Sequence, residues 1–243
     1  MRLVLTLRTA DRSPKPNYLW ATVDSLRRHG VAGSDIHVFP TDPDMNWLLH
    51  EMRYPAMTLH PTAVRRHANQ NGIAPIALLD TLDADWIILS EDDLEWCADP
   101  LGSVARWLET HATPDVVMYR FFAFDLLTPV SAHAGAAPLR EQRGSQAVAL
   151  RATDARRFSA WVQAHPLDWR PADAPYQNRP HDGFDKLLGY WALQDRPRVT
   201  TGLVSRPFFV RHLGVESSLH HDGVRLDRQF GGSTWAYHAR AVA

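Results

Sequence analysis

Asp85-Trp86-Ile87-Ile88-Leu89-Ser90-Glu91-Asp92-Asp93 is the stretch on which the fold turns. Four apolar residues in a row suit a short strand buried on both faces, as in a sheet covered by helices. Three consecutive acids at its carboxyl end repel one another unless a positive group meets them. A divalent cation relieves that repulsion and can bridge carboxylates to a substrate diphosphate. A solvated acidic turn, capping a helix that begins at Leu94, is the plainer reading of the same residues.

The chain on either side repeats the pattern. Leu3-Val4-Leu5-Thr6-Leu7 reads as a buried strand. A helix follows from about Asn17, with Leu19, Val23 and Leu26 at i, i+4 and i+7 and Gly30 as its stop. Asp35-Ile36-His37-Val38-Phe39 is the next strand, ending in Thr41-Asp42-Pro43-Asp44. A helix is expected over 72–82, with Asn71 as its cap and Pro75 inside its first turn. Strands alternating with helices predict an α/β fold with a mostly parallel central sheet covered by helices. Ligands of such sheets sit at the carboxyl ends of the strands, where both acidic clusters fall.

The second half predicts strands over 115–123 and 146–151, helices over 153–165 and 184–193, and a last strand at Phe208-Phe209-Val210-Arg211. The segments 125–144 and 166–181 read as long loops that could bind an acceptor. Trp86, Trp107 and Trp161 fall in core-like patterns, whereas Trp47, Trp96, Trp169 and Trp235 are expected near exposed loops.

The totals restrict function. A net charge of −1 over 243 residues provides no broad field for nucleic acid or an anionic membrane. No stretch approaches the roughly 20 apolar residues of a membrane helix. The single cysteine, Cys97, excludes an intramolecular disulfide and a cysteine-built metal cluster. With no signal-like amino terminus, a cytoplasmic location is expected.

The motifs, taken together, resemble the N-acetylglucosaminyltransferase IV family. Gln70-Asn71 followed by the strand into Glu91-Asp92-Asp93 is similar to that family's Lys-Gln-Asn helix start and Glu-Asp-Asp strand end. Asparagine stands at position 69 where relatives often carry lysine. Thr41-Asp42-Pro43-Asp44 resembles its Thr-Asp-x-Asp, and Phe184-Asp185-Lys186-Leu187-Leu188 its Ile-Asp-Trp-Leu-Leu. Arg211-His212-Leu213-Gly214-Val215-Glu216-Ser217-Ser218-Leu219 resembles its His-Val-Gly-x-x-Ser-Ser-Leu. Order and approximate spacing agree from about Leu3 to Leu219, and the anchor, stem and accessory domain of the animal enzymes are expected to be missing.

The resemblance implies a single GT-A (Rossmann-like) domain over 1–243, with 1–100 binding the nucleotide sugar and 101–243 the acceptor. It implies a UDP-sugar donor, leaning to N-acetylglucosamine, a manganese or magnesium ion, inversion at the anomeric carbon, and a glycan or other hydroxyl acceptor. By residue, Asp93 and His212 are the expected metal ligands and Asp185 the catalytic base. Thr9, Asp42, Asn71, Glu91, Asp92, Gly144, Ser145, Gln146 and Ser217 are the expected donor-binding positions. Asp182 competes for the base role, although an acid just before a helical start is commonly a cap. His212 follows an apolar strand and could be a hydrogen-bonded core histidine instead. Rival functions are a nucleotidyltransferase of similar α/β fold and a carbohydrate-binding protein without turnover.

Overall fold

The computed structural model describes residues 1–10, 18–45, 57–66, 68–122, 128–139, 146–165, 184–198 and 201–213. In chain order the elements are β1 (Leu3–Thr9), α1 (Leu19–Arg28), β2 (Ile36–Pro40), β3 (Thr58–Leu59), α2 (Ala68–Ile73), β4 (Trp86–Glu91), β5 (Leu94–Trp96) and α3 (Pro100–His111). There follow β6 (Tyr119–Arg120), β7 (Thr128–Ser131), β8 (Ala134–Pro138), β9 (Ala147–Arg151), α4 (Ala152–Ala164), α5 (Phe184–Asp195), β10 (Thr201–Ser205) and β11 (Val210–His212).

Nine strands form one sheet in the order β3-β2-β1-β4-β9-β6-β10-β8-β7. Strands β3, β2, β1 and β4 run parallel to one another. Only β9 and β8 run against them, because β6 turns back antiparallel to β9 and β10 follows β6 in parallel. The expected α/β, Rossmann-like architecture with a mostly parallel sheet is what the chain adopts.

Alternating side chains of the central strands enter two different cores, as the period of two requires. From β4, Trp86 and Ile88 join Leu19, Val23 and Leu26 of α1 and Trp107 of α3. Ile87 and Leu89 face the other way, into Phe158 of α4 and Leu187, Leu188 and Trp191 of α5. Helices therefore cover both faces, which explains why β4 is apolar without a break.

Several local expectations change. The helix predicted over 72–82 is two elements: α2 ends at Ile73, and a 3-10 helix runs over Ala74–Asp80 with Pro75 at its start. Proline lacks the amide an α-helix needs and crowds the carbonyl four residues back, so the α-helix stops before it. Asn71 consequently lies inside α2 and is no cap. Leu94 begins strand β5, and the next helix starts only at Pro100. Trp96, expected near an exposed loop, is fully buried by β5, whereas Trp86 and Trp107 are core residues as predicted. The strand predicted over 115–123 is reduced to Tyr119–Arg120. Part of the loop predicted over 125–144 is the hairpin of β7 and β8. The 166–181 loop, Trp47, Trp169 and Trp235 lie outside the described residues.

One edge of the sheet carries a pH-sensitive contact. His37 of β2 and His60, just after β3, meet through Nδ1 and Nε2 at 3.1 Å, and His60 stacks on Phe39 with ring centroids 4.3 Å apart. Burial lowers the pKa of both below the ordinary 6.5, and Arg66 adds to the effect on His60. The folded state thus favours the neutral rings. Their contribution to stability is fully present above about pH 6.5 and is lost as pH falls through and below that value. His60→Phe keeps a ring against Phe39 without a titrating nitrogen. Its thermal midpoint should fall less than that of the wild type between pH 7.5 and 5; parallel midpoint curves would show that the pair does not sense pH.

Candidate active site

The parallel register aligns the carboxyl ends of three strands. Arg8 of β1 lies opposite Glu91 of β4, and Thr9 lies opposite Pro40 of β2. On the far side of β4, the antiparallel pairing sets Ser90 against Ala147, so the backbone amide of Glu91 donates to the carbonyl of Gln146 at 2.7 Å. Thr41 extends the edge by donating its amide to the carbonyl of Thr9 at 2.9 Å.

Each acid of the triplet has a different protein partner. Glu91 faces the guanidinium of Arg8 at 3.4 Å. Asp92 is buried and accepts a hydrogen bond from the hydroxyl of Thr9. Its carbonyl accepts from Thr22 at 2.7 Å, while the Leu94 amide donates back to the Thr22 hydroxyl at 3.0 Å. Thr22 of α1 therefore clamps the turn between β4 and β5, and Ser25, one helical turn on, receives the Trp96 amide at 2.9 Å. Asp93 meets the third partner: its Oδ2 lies 3.1 Å from Nε2 of His212. The two-stranded ribbon of β5 and β11 produces this contact by pairing His212 with Leu94, and the Leu213 amide donates to the Asp93 carbonyl at 2.7 Å.

Burial raises the Glu91 carboxyl to about 7. Arg8 opposes that rise, Asp93 adds to it, His212 opposes it and Asp92 adds to it. Arg8 is itself buried, which weakens its hold on a proton, while Glu91, Asp185, Asp92 and Asp93 all stabilise its charge. Arg8 thus touches Glu91 at 3.4 Å and also lies in the field of Asp92, Asp93 and Asp185.

Asp185 occupies the first turn of α5, where the helix dipole favours a negative charge. Its Oδ1 accepts the Lys186 amide at 3.0 Å. Phe184 beside it places its ring under the Arg8 guanidinium, 4.7 Å from Cζ to the ring centroid. A Cβ on Gly72 of α2 would overlap that ring, so only glycine lets α5 approach this closely.

The remaining expected positions form a looser rim. Asn71 is buried, donates Nδ2 to the Phe39 carbonyl at 3.1 Å, and leaves Oδ1 without a hydrogen-bond partner. Gln146 is buried with its Oε1 similarly unpartnered. Asp42 accepts the Asp44 amide at 3.1 Å and pairs with Arg65 at 3.3 Å. Gly144, Ser145, Asp182 and Ser217 lie outside the described residues.

Among the described residues no group of three or more His, Cys, Asp or Glu side chains is arranged to hold a metal ion. The pair formed by Asp93 and His212 is nevertheless compatible with one. Adjacent ligands of an octahedral cation with bonds of about 2.0–2.1 Å stand about 3 Å apart, which matches their 3.1 Å separation. Such a cation commonly takes only one or two protein ligands and completes its shell with water and substrate phosphate.

No family model and no curated protein matches the chain. Solved structures of similar architecture include S. aureus TarS 1-349 in complex with UDP-GlcNAc, with 11% identity, a TM-score of 0.45, and coverage of 84% of this chain and 55% of that one. A mannosyltransferase from Pyrobaculum calidifontis, in complex with GDP-Man and Mn2+, has 13% identity, a TM-score of 0.44 and coverage of 68% and 47%. A cytidylyltransferase from Leptospira borgpetersenii has 10% identity, a TM-score of 0.43 and coverage of 82% and 97%. The chain spans only 35–57% of the length of the TarS chains it matches. These are likenesses of general architecture, and the functional case stands on the residues. Among the described residues, no helix is long and apolar enough to cross a membrane.

Sequence reasoning missed Arg8, Thr22 and Ser25. The two α1 hydroxyls had a visible signal, since both interrupt a helix face otherwise carrying Leu19, Val23 and Leu26. Arg8 had none beyond its place at the end of an apolar strand.

Proposed function

We propose that the chain is a metal-dependent, inverting glycosyltransferase of the GT-A type, related to the N-acetylglucosaminyltransferase IV family. It would move a sugar, N-acetylglucosamine foremost, from a UDP-sugar to a hydroxyl of a glycan or other acceptor. The observation that carries this reading is the pair of Asp93 and His212 beyond the carboxyl end of β4, together with Arg8 of the neighbouring strand end stacked on Phe184, the residue before Asp185. In this proposal residues 1–100 bind the nucleotide sugar and 101–243 supply the acceptor side, and the chain acts in the cytoplasm, consistent with its single, buried cysteine.

Asp93 and His212 would hold manganese or magnesium, which when bound would neutralise diphosphate charge. The unpartnered carbonyls of Asn71 and Gln146 are free to accept hydrogen bonds from donor N–H or O–H groups. Thr9 and Asp92 brace the floor of the site, and Asp42 lies on its rim. Asp185 accepts the proton of the acceptor hydroxyl as that oxygen bonds to the anomeric carbon. The bond from that carbon to the diphosphate oxygen breaks, and the nucleoside diphosphate leaves with the electron pair.

A thermal-shift screen of nucleotide sugars with and without manganese tests the reading. UDP-N-acetylglucosamine with manganese should raise the melting midpoint more than either component alone. A ligand present at 100 times its Kd adds roughly 2.7 kcal/mol of stability. Release of a nucleoside diphosphate on incubation separates a transferase from a nucleotidyltransferase. No shift with any nucleotide sugar, with or without metal, would refute the proposal.

A further inference from the structure

We propose that Arg8 is a positioning residue, fixing the start of α5 relative to the acidic strand end by stacking on Phe184 while it is paired with Glu91. This rests on the reading of Asp185 as the base.

The contacts form one line across the site. Glu91 of β4 meets Arg8 of β1 at 3.4 Å. Arg8 covers the Phe184 ring at 4.7 Å. The other side of Phe184 packs where Gly72 lacks a side chain, and its edge meets Phe158 of α4, with centroids 5.7 Å apart. Phe184 is 4% exposed and Arg8 8%, so neither contact is an incidental surface meeting. The residue after Phe184 is Asp185, and its charge reaches Arg8. A planar guanidinium can pair with a carboxylate at its edge and stack on a ring with its face at the same time, whereas the ammonium of lysine is a point charge. Arg8 thus links Glu91, at the end of the strand carrying the donor-side acids, to Phe184, at the start of the helix carrying the base.

A purely compensating role, in which Arg8 only offsets the charge of the partly buried Glu91, predicts something different. In that case Phe184 is irrelevant to turnover, and loss of Arg8 acts on stability or donor binding. The positioning role predicts that Arg8→Gln and Phe184→Leu each lower transfer kcat on the order of 10–100-fold, the cost of a displacement near 1 Å at a reacting group. Donor Kd, measured by calorimetry with UDP-N-acetylglucosamine and manganese, should stay within about threefold, because uniform binding is not what was removed. Arg8→Lys should keep the fold and still lose turnover, since it restores charge without the stacking plane.

A readout independent of activity is amide hydrogen exchange at Leu188 and Gly189, whose hydrogen bonds close the first turns of α5. Their exchange should accelerate in Arg8→Gln and Phe184→Leu, while Trp191 and Ala192 exchange as in the wild type. Unchanged kcat and unchanged exchange in Phe184→Leu would overturn the proposal even if Arg8→Gln fails to fold. So would an Arg8→Gln variant whose whole defect lies in donor Kd. Should the wild type transfer no sugar at all, the glycosyltransferase reading falls, while the exchange measurement still decides the role of Arg8.

Discussion

Asp185→Asn should lose about 10²–10⁴-fold in transfer rate, the usual contribution of a general base. The substitution is isosteric and leaves an oxygen that can still accept the Lys186 amide, now held at 3.0 Å by Oδ1. It removes the charge and the basic lone pair, so the acceptor hydroxyl has nowhere local to send its proton. The proposed donor site is a different set of groups, on β1, β4, β11 and α2 and at Gln146. Calorimetric affinity for UDP-N-acetylglucosamine with manganese should therefore stay within about threefold while kcat falls, the signature of an interaction made only in the transition state. Asp182→Asn is the paired control. Full activity in Asp185→Asn together with loss in Asp182→Asn would move the base to position 182, and full activity in both would remove the carboxylate base from the mechanism.

That the acidic triplet could be singled out from the residues, Asp185 only through the resemblance, and Arg8 not at all, has a physical reason. Strands β1, β2 and β4 are legible because burial on both faces demands a continuous apolar run, which is a local property of the chain. The ribbon of β5 and β11 is not local. Leu94-Glu95-Trp96 is too short to show a period, and its partner, Val210–His212, lies far along the chain. The contact of His212 with Asp93 could therefore be inferred only from resemblance, and Trp96 was placed outside when the ribbon buries it. The break between α2 and the 3-10 helix has its signal in Pro75, which a helix tolerates in its first turn but not where α2 would have to continue. Arg8 has no sequence signature because its burial is created by Glu91 and Phe184, residues from two other elements. A charged residue at a strand end is ordinarily solvated. Here it is enclosed because Gly72 lets Phe184 come close.

Asp93→Ala should abolish the manganese-dependent part of donor affinity, a loss on the order of 100-fold or more, since even outer partners of a metal ligand typically cost 10–100-fold. The backbone turn should survive, because the bond that fixes it runs from the Leu213 amide to the Asp93 carbonyl and not to the side chain. The polar core below should survive as well, since Thr9 and Thr22 bind Asp92 and not Asp93. A melting midpoint close to that of the wild type in the absence of ligand is expected, which separates loss of binding from loss of fold. Asp93→Asn sharpens the test. It keeps an oxygen near His212 but drops the charge, so a cation site should weaken nearly as much as in the alanine variant. A histidine held only as a hydrogen-bonded core residue would be little affected. Titration of UDP-N-acetylglucosamine into each variant, with manganese and with a chelator, reads the difference directly. If affinity is the same under both conditions in the wild type, or if Asp93→Ala retains the manganese increment, then the carboxylate and imidazole 3.1 Å apart are a structural pair, and the diphosphate must be neutralised by protein cations alone.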